Sequence, residues 1–387
     1  MAPREHAARP WPRTVWGLAA LVFVALATLN SAGYRFGVGD QAFYLPAIQR
    51  HLEPESFPRD RILIDDQDRL NVFPRILAAV VRATGVPQPG LFLGIYVSAL
   101  LLLCLAARAM AGQLGLSSWG QLAVLAALTL KHRVGTTGAN TLEGYGHPRM
   151  LAFAIGLAAV VAVLRARPGP AIALVGAAFV VHPTTALWFG VWVGVALIAG
   201  EPRWRPWLLA AGGLAAGVAA WVIGWGPLSA QLVRMDAAWL GVLEGKDYLF
   251  ATEWRPDAWA MALLYAGVPA AAFAWRRRTG AARPREGAMV LGLAALVGIF
   301  LVTLPAVAGR VALAVQFQVS RIFWMLDVAG TVYAVWALVD SGRAQAGAAA
   351  RWRRGAAVAC VLIAVAAARG AWVLWVEHPG RPVVQVI

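Results

Sequence analysis

One carboxylate stands out where a strongly apolar segment gives way to a polar one. Asp40 lies about nine residues past the first apolar run, in the stretch GVGDQAFYLP. A carboxylate there is ionised near neutral pH, so it can act as a general base or bind a hard cation. The alternative is a solvated acid that caps the helix predicted around Tyr44–Leu52. Gln41 and Tyr44 are its nearest polar neighbours along the chain, and we predict that both contact substrate.

A second group of reactive side chains occupies the stretch TLEGYGHPRM. Glu143, Tyr145, His147 and Arg149 alternate there, just before another apolar run. A histidine can shuttle protons or bind a ligand, and an arginine can hold a phosphate bidentately. The alternatives are interfacial anchoring by Tyr145 and Arg149 and a loop histidine with ordinary hydrogen bonds.

Two more ionisable residues lie at the edges of apolar segments. His182, followed by Pro183, interrupts a very long apolar run in HPTTALWFG. Arg321, in QVSRIFWML, is costly at membrane depth unless it is paired or lies against an anion such as a lipid phosphate. Snorkelling to the interface is the alternative for Arg321. Asp327, on the same apolar segment, is expected to face the bundle interior and to pair with an arginine.

Composition indicates what positions these residues. The chain has 387 residues, of which 60% are hydrophobic and 14% charged, whereas soluble domains are about 45–50% apolar and about 25% charged. Apolar runs of about 15–22 residues recur, which is the length of a membrane-spanning helix. We predict an all-α, polytopic helical bundle of about eleven spans that forms a single integral-membrane domain over 1–387. The predicted spans are 14–31, 91–111, 117–131, 149–164, 170–182, 184–199, 207–225, 258–275, 287–305, 322–339 and 355–376.

Arginine spacing predicts the orientation. Of the 34 basic residues only Lys131 and Lys246 are lysine, and many arginines lie in short loops, as the positive-inside rule predicts for cytoplasmic loops. The net charge of +15 therefore does not indicate a nucleic-acid partner; the partner is the lipid bilayer. We place the N-terminus in the cytoplasm. The arginines that support this are Arg4, Arg9, Arg13, Arg165, Arg167, Arg203, Arg205, Arg276, Arg277, Arg278, Arg283, Arg285, Arg343, Arg351, Arg353 and Arg354.

The opposite face then carries the long loops and most acids. The first outer loop covers 32–88 and includes an amphipathic, interfacial helix within 73–86; the second covers 226–257. Together with Glu143 and Glu377 these loops hold 14 of the 19 acidic residues. Since functional groups concentrate on loops held by a rigid scaffold, we expect the site on this outer face.

Short motifs in this order resemble the integral-membrane glycosyltransferases of the C superfamily, and within it a group of bacterial multi-pass proteins. The matching pieces are GDQAFYLPAIQRHLEPESFPRD after the first span, TLEGYGHPRMLAFAIGLA, HPTTALWFG and QVSRIFWML. The resemblance implies a transferase in the bacterial inner membrane that takes a sugar from a polyprenyl-phosphate donor on the non-cytoplasmic face, in envelope glycan or glycolipid assembly.

The resemblance also implies roles for individual residues. Asp40 takes the acceptor's proton, and Arg321 and Arg149 hold the lipid phosphate, while Glu143, His147 and His182 line the pocket. Many members of the superfamily carry paired acids in the first loop, whereas here Asp40 is followed by Gln41. A divalent cation therefore stays an open alternative to a purely protein-based mechanism.

Two other classes of function remain open. A transporter or flippase of a lipid-linked or anionic substrate would need charged residues in mid-span positions, and few are present. A non-catalytic envelope-assembly protein would not depend on Asp40 or His182. The sequence contains no Walker, GxGxxG, CxxC or HExxH motif, which argues against nucleotide hydrolysis by this chain.

Overall fold

Apolar segment length determines most of the secondary structure. The computed structural model describes residues 11–69, 71–341 and 348–386, so Arg4, Arg9 and Arg343 lie outside the described residues. Almost all of the regular structure is helical. The α-helices are α1 Arg13–Asn30, α2 Gln41–Leu52, α3 Arg61–Asp68, α4 Phe73–Thr84, α5 Gln88–Gln113, α6 Ser118–Leu128, α7 Pro148–Leu164, α8 Pro168–Val181, α9 Pro183–Gly200, α10 Arg205–Gly224, α11 Ala237–Val242, α12 Pro256–Arg278, α13 Glu286–Ala308, α14 Ala312–Gln316, α15 Ile322–Val339 and α16 Ala348–Trp372.

The prediction of a multi-pass helical membrane protein is confirmed. Over the described ranges, eight helical stretches are long and apolar enough to cross a membrane. These are α1, α5, α9, α10, α12, α13, the stretch Ala312–Val339 and the stretch Ala349–Glu377. The other three predicted spans coincide with the shorter apolar helices α6, α7 and α8. Length and composition therefore support eight of the eleven predicted spans.

The helices run between two polar ends. At one end, which we call the basic end, Arg276 bonds to the carbonyl of Leu114, and Asp340 accepts from the backbone of Ser117. At the other, the site end, the backbone N–H of Arg35 donates to the carbonyl of Gly144. Helix α7, with 17 residues, connects the two ends and is about 25 Å long.

A short parallel sheet closes the site end. Strand β1 (Tyr34–Arg35) pairs with strand β2 (Val384–Gln385), so the segment after α1 lies beside the segment after α16. Because Arg35 also bonds to Gly144, three distant parts of the chain meet at this strand. The start of the first outer loop is thus fixed to the bundle.

The predicted amphipathic helix in the first outer loop is present as α4. Phe73 and Leu77 are buried against Ile48 of α2 and Phe92 of α5, while Arg75 faces outward. Its location at the membrane interface stays a prediction.

Close packing around α7 forms the centre of the bundle. Phe153 of α7 stacks on Trp324 of α15 at 3.8 Å between ring centroids. Gly156 of α7 contacts Phe189 of α9 so closely that a Cβ would lie 2.2 Å from the ring. By contrast, α10 has no buried residue and lies at the periphery.

A buried ion pair holds the basic end together. Arg276 of α12 binds both carboxylate oxygens of Glu286 at 2.6 and 3.0 Å. Glu286 also accepts from the Tyr333 hydroxyl and from the backbone N–H of Arg283. With the Leu114 carbonyl included, these bonds join α12, α13, α15 and the end of α5. A buried ion pair is tolerated when further hydrogen bonds occupy its remaining donors and acceptors, as they do here.

Removal of one partner should therefore be costly. Glu286→Gln leaves the Arg276 guanidinium buried without a counter-charge, and we expect the free energy of unfolding to fall by about 3 to 5 kcal/mol. The measurement is the melting temperature of the detergent-solubilised protein. Asp257→Asn, which breaks the exposed pair with Arg255, is the control and should melt like the wild type. Equal melting temperatures for the two variants would contradict this role of the pair.

Candidate functional site

Asp40 lies at a tight turn and is held by a distant histidine. Gly37 and Gly39 have φ values of +77° and +59°, and Asp40 follows them at the N-cap position of α2. Its side chain makes no capping hydrogen bond. Oδ2 lies instead 2.6 Å from Nε2 of His147. The helix-capping alternative for Asp40 is therefore wrong.

The hydrogen bonds of His147 define its protonation state. Its Nδ1 accepts from the backbone N–H of Arg149 at 2.9 Å, so the ring proton is on Nε2, which donates to Asp40. Burial and the nearby Arg149 charge lower the pKa of His147 from 6.5 to about 4. With both ring nitrogens in hydrogen bonds, the neutral imidazole orients Asp40; the proton-shuttle role of His147 stays a prediction.

Asp40 is the exposed member of this pair. Its side chain is 48% exposed, whereas that of His147 is 1% exposed. The hydrogen bond with His147 lowers the pKa of Asp40 to about 2, in spite of partial burial, and the charges of Arg149 and Arg321 contribute in the same direction. Asp40 is thus a fixed, ionised carboxylate at every physiological pH.

Gln41 and Tyr145 position this turn. The Gln41 side chain is completely buried; its amide donates to the Gly146 carbonyl and accepts from the Gly37 backbone. Gly39 lies against Tyr145, and a Cβ there would lie 2.9 Å from the tyrosine ring. Gln41 therefore braces the site internally. Gly39, which the sequence analysis did not single out, is required by both its φ and this contact.

Aromatic rings surround His147. The ring centroids of Tyr145, Tyr44 and His182 lie 5.5, 5.9 and 6.1 Å from that of His147. Burial raises the pKa of Tyr44 to about 12 and also raises that of Tyr145. Both hydroxyls therefore stay protonated and are able to donate hydrogen bonds.

His182 is the N-cap of α9. Its Nδ1 accepts from the backbone N–H of Thr185 at 3.3 Å and lies 3.2 Å from the Thr184 hydroxyl. Burial lowers the pKa of His182 to about 3, with smaller contributions from His147 and the two arginines. His182 is thus a second neutral histidine at the same end of the bundle.

Two arginines face this group from different helices. Arg149, at the start of α7, is buried and pairs with Glu143 at 3.1 Å. The guanidinium of Arg321, immediately before α15, forms no ion pair or hydrogen bond with the described residues, and its Nε is buried. The hydroxyl of Ser320, another residue that the sequence analysis missed, is also buried without a partner in that part of the chain. The pKa values of Asp40, Tyr44 and His182 all respond to Arg321, so the sequence candidates converge at one place.

The residues present do not form a protein-held metal site. Among the described residues, no group of three or more His, Cys, Asp or Glu side chains is placed to hold a metal ion. Glu143 is committed to Arg149, which leaves Asp40 as the single carboxylate facing outward.

Asp327 has a different partner from the one predicted. It is buried, as expected, but its carboxylate lies 2.8 Å from Nδ1 of His132, and no arginine of the described chain pairs with it. The non-helical segment after α6 turns into the bundle and brings His132 to the side of α15. Sequence spacing gives no sign of this excursion.

Comparison of the chain with models of known protein families, with curated proteins and with solved structures gives no match. Its chemistry is therefore inferred from the site.

Acid should destabilise the protein through the two neutral histidines. Unfolded histidine gains a proton near pH 6.5, whereas His147 and His182 resist protonation down to about pH 4 and 3. The unfolded state thus binds more protons, and stability falls as the pH falls through this window. We expect the melting temperature to drop by several degrees between pH 7 and 4.5.

The matched control is the double variant His147→Gln/His182→Asn. Glutamine retains a donor to Asp40, asparagine retains an N-cap acceptor, and neither side chain titrates. Its melting temperature should depend less on pH than that of the wild type. Parallel curves would mean that other groups cause the acid sensitivity.

The turn before Asp40 should not tolerate a side chain. Gly39→Ala combines the left-handed φ with the clash against Tyr145, and overpacking of this kind costs about 1–3 kcal/mol beyond the φ strain. Gly37→Ala is the matched control, since its φ is also positive but nothing lies within 4 Å of its Cβ. The measurement is the melting temperature. Equal losses would show that the Tyr145 contact is unimportant.

Proposed function

We propose that this chain is a glycosyltransferase that takes a sugar from a polyprenyl-phosphate donor at the non-cytoplasmic face of a bacterial inner membrane. The observation that carries the proposal is that an ionised, exposed Asp40 and Arg321, whose guanidinium has no ion-pair partner among the described residues, lie at the same end of a membrane-helix bundle. All eleven apolar helices cross the membrane in this proposal, with the basic end in the cytoplasm and the site end outside.

Asp40 accepts the proton of the attacking hydroxyl. The acceptor oxygen forms a bond to the anomeric carbon, the bond from that carbon to the lipid phosphate breaks with its electron pair going to the phosphate, and the hydroxyl proton goes to Asp40. Because the pKa of Asp40 is about 2, proton transfer follows when C–O bond formation has already made the hydroxyl acidic. The hydrogen bond donated by His147 holds the Asp40 carboxylate in one orientation during the reaction.

Arg321 stabilises the leaving phosphate. An arginine holds a phosphate through two parallel N–H bonds, and negative charge on that phosphate increases as the glycosidic bond breaks. The buried hydroxyl of Ser320 and the N-terminus of α15 lie beside Arg321 and favour the same anion. Arg149 contributes positive potential but is already paired with Glu143.

A polar cavity of about 320 Å³ suits a hydroxyl-rich group. It is lined by Arg133, Asn140, Asp247 and Tyr248, with backbone from the glycine-rich loop. Tyr248 interacts electrostatically with Arg321, which connects the cavity to the site. Charged and amide side chains of this kind bind sugar hydroxyls, while the polyprenyl chain stays in the bilayer.

A specific observation also favours transport of a lipid-linked substrate as a second candidate. Both ring nitrogens of His132 face acceptors, Asp327 at 2.8 Å and the Ala127 carbonyl at 3.1 Å, so a protonated ring satisfies both. Burial opposes this and the Asp327 bond favours it, and the pKa of His132 is raised on balance. Asp327 and a protonated His132 form a charge pair inside the bundle. Asp327 lies about 9 Å along the helix from Arg321. Flipping in liposomes without an acceptor, lost in Asp327→Asn, would support transport.

The glycosyltransferase proposal is tested by sugar transfer from polyprenyl-phosphate sugars to lipid or glycan acceptors in proteoliposomes. Asp40→Asn should lower the turnover by about 10²–10⁴-fold, the usual contribution of a general base. Asp60→Asn, an exposed acid of the same loop, is the control and should leave the rate unchanged. A fully active Asp40→Asn protein would exclude this mechanism.

A further inference from the structure

A cavity lined by arginines lies at the basic end, far from Asp40. A cavity of about 490 Å³ is lined there by Arg165, Arg167, Arg283 and Arg285, together with Leu164 and Gln113. These arginines come from two connections, α7–α8 and α12–α13. Within ranges 11–69, 71–341 and 348–386, no acidic side chain lines the cavity.

Two residues with positive φ lie in the segments that carry the cavity arginines. Arg165 and Arg167 flank Ala166, whose φ of +60° ends α7 and turns the chain into α8. Arg285 has a φ of +63° at the start of α13. Left-handed conformations at non-glycine residues are costly and tend to occur where function requires them.

The arginine charges are only partly compensated. Glu201 pairs with Arg285 at 2.6 Å, and Glu286 is committed to Arg276. Among the described residues, Arg165, Arg167 and the guanidinium of Arg283 have no ion pair. The guanidinium of Arg283 lies directly over Gly115, where a Cβ would approach Nε to 2.6 Å. Helices α8 and α13 both begin at the cavity, and their N-termini add positive potential.

Helix α8, which follows Arg167 at the cavity, carries exposed apolar side chains. Leu164 lines the cavity, and Ile172 and Phe179 of α8 are 41% and 54% exposed. A concave cluster of guanidinium groups above an exposed apolar helix matches a phosphate headgroup with acyl chains below it.

We propose that this cavity binds the phosphate of an anionic phospholipid headgroup, with the acyl chains along α8. Three guanidinium groups without carboxylate partners neutralise the phosphate. The site is independent of the sugar-transfer proposal, because no residue is shared and the two lie at opposite ends of the bundle.

The test measures lipid binding to the detergent-solubilised full chain by native mass spectrometry. Phosphatidylglycerol, phosphatidylcholine and inorganic phosphate are titrated separately. The triple variant Arg165→Gln/Arg167→Gln/Arg283→Gln is compared with Arg203→Gln/Arg277→Gln/Arg353→Gln, which removes the same charge from exposed positions outside the cavity.

We expect phosphatidylglycerol to bind at least ten-fold more weakly to the cavity variant and within two-fold of wild type to the control. A triple arginine-to-lysine variant, which keeps the charge and loses bidentate geometry, should show an intermediate loss. Equal losses in the two glutamine variants would overturn the site in favour of diffuse surface attraction. Binding of inorganic phosphate as tight as that of phosphatidylglycerol would overturn the lipid as its source.

Discussion

The hydrogen bond between His147 and Asp40 joins two segments that are 107 residues apart. Every other feature of the candidate site is placed relative to it. His147 begins α7, the central helix, so its ring position is set by the bundle core. Asp40 begins α2, so the bond also sets where the first outer loop lies. The bond is stable because the second ring nitrogen is occupied by a backbone N–H, which leaves one tautomer and one partner.

Polar groups inside an apolar bundle have to be satisfied within the protein, and this constraint organises the rest of the structure. Arg276 with Glu286, Arg149 with Glu143, and His132 with Asp327 each join separate helices or loops. Desolvation of an ion pair usually offsets much of its attraction. We therefore interpret these pairs as determinants of which segments meet, more than as sources of net stability. Arg321, which lacks such a partner among the described residues, differs from them in this respect.

The fold was largely predictable from the sequence, because apolar segment length is a local property. Within the described part of the chain, apolar helices occur where the hydrophobic runs predict them, while the membrane orientation derived from the arginines stays a prediction. Asp40, Tyr44, Tyr145, His147 and His182 lie close together at one end of the bundle. Their catalytic and binding roles stay predictions.

What the sequence could not predict depends on contacts between distant segments. Asp40 pairs with His147 because the start of α7 packs against the first outer loop. The spacing of residues along the chain does not predict this contact. Gln41 was expected to contact substrate, yet its amide is buried and stabilises the turn before Asp40 through hydrogen bonds to backbone groups. Asp327 pairs with His132 because the segment after α6 turns into the bundle. The glycines of the GVGD turn indicate a positive φ at Gly39. Nothing in the sequence predicts that Gly39 contacts Tyr145.

The parallel pairing of β1 with β2 has a consequence for biogenesis. Tyr34 and its partner Val384 are separated by 350 positions, so the loop that carries Asp40 emerges long before the strand that fixes it. At about 5–20 residues per second, that interval is on the order of 20–70 s. During synthesis the helices between β1 and β2 are made first, and β1, beside the candidate site, is unpaired until β2 emerges. In a nascent chain the site end thus stays without this strand pairing until all of the helices before β2 have been synthesised.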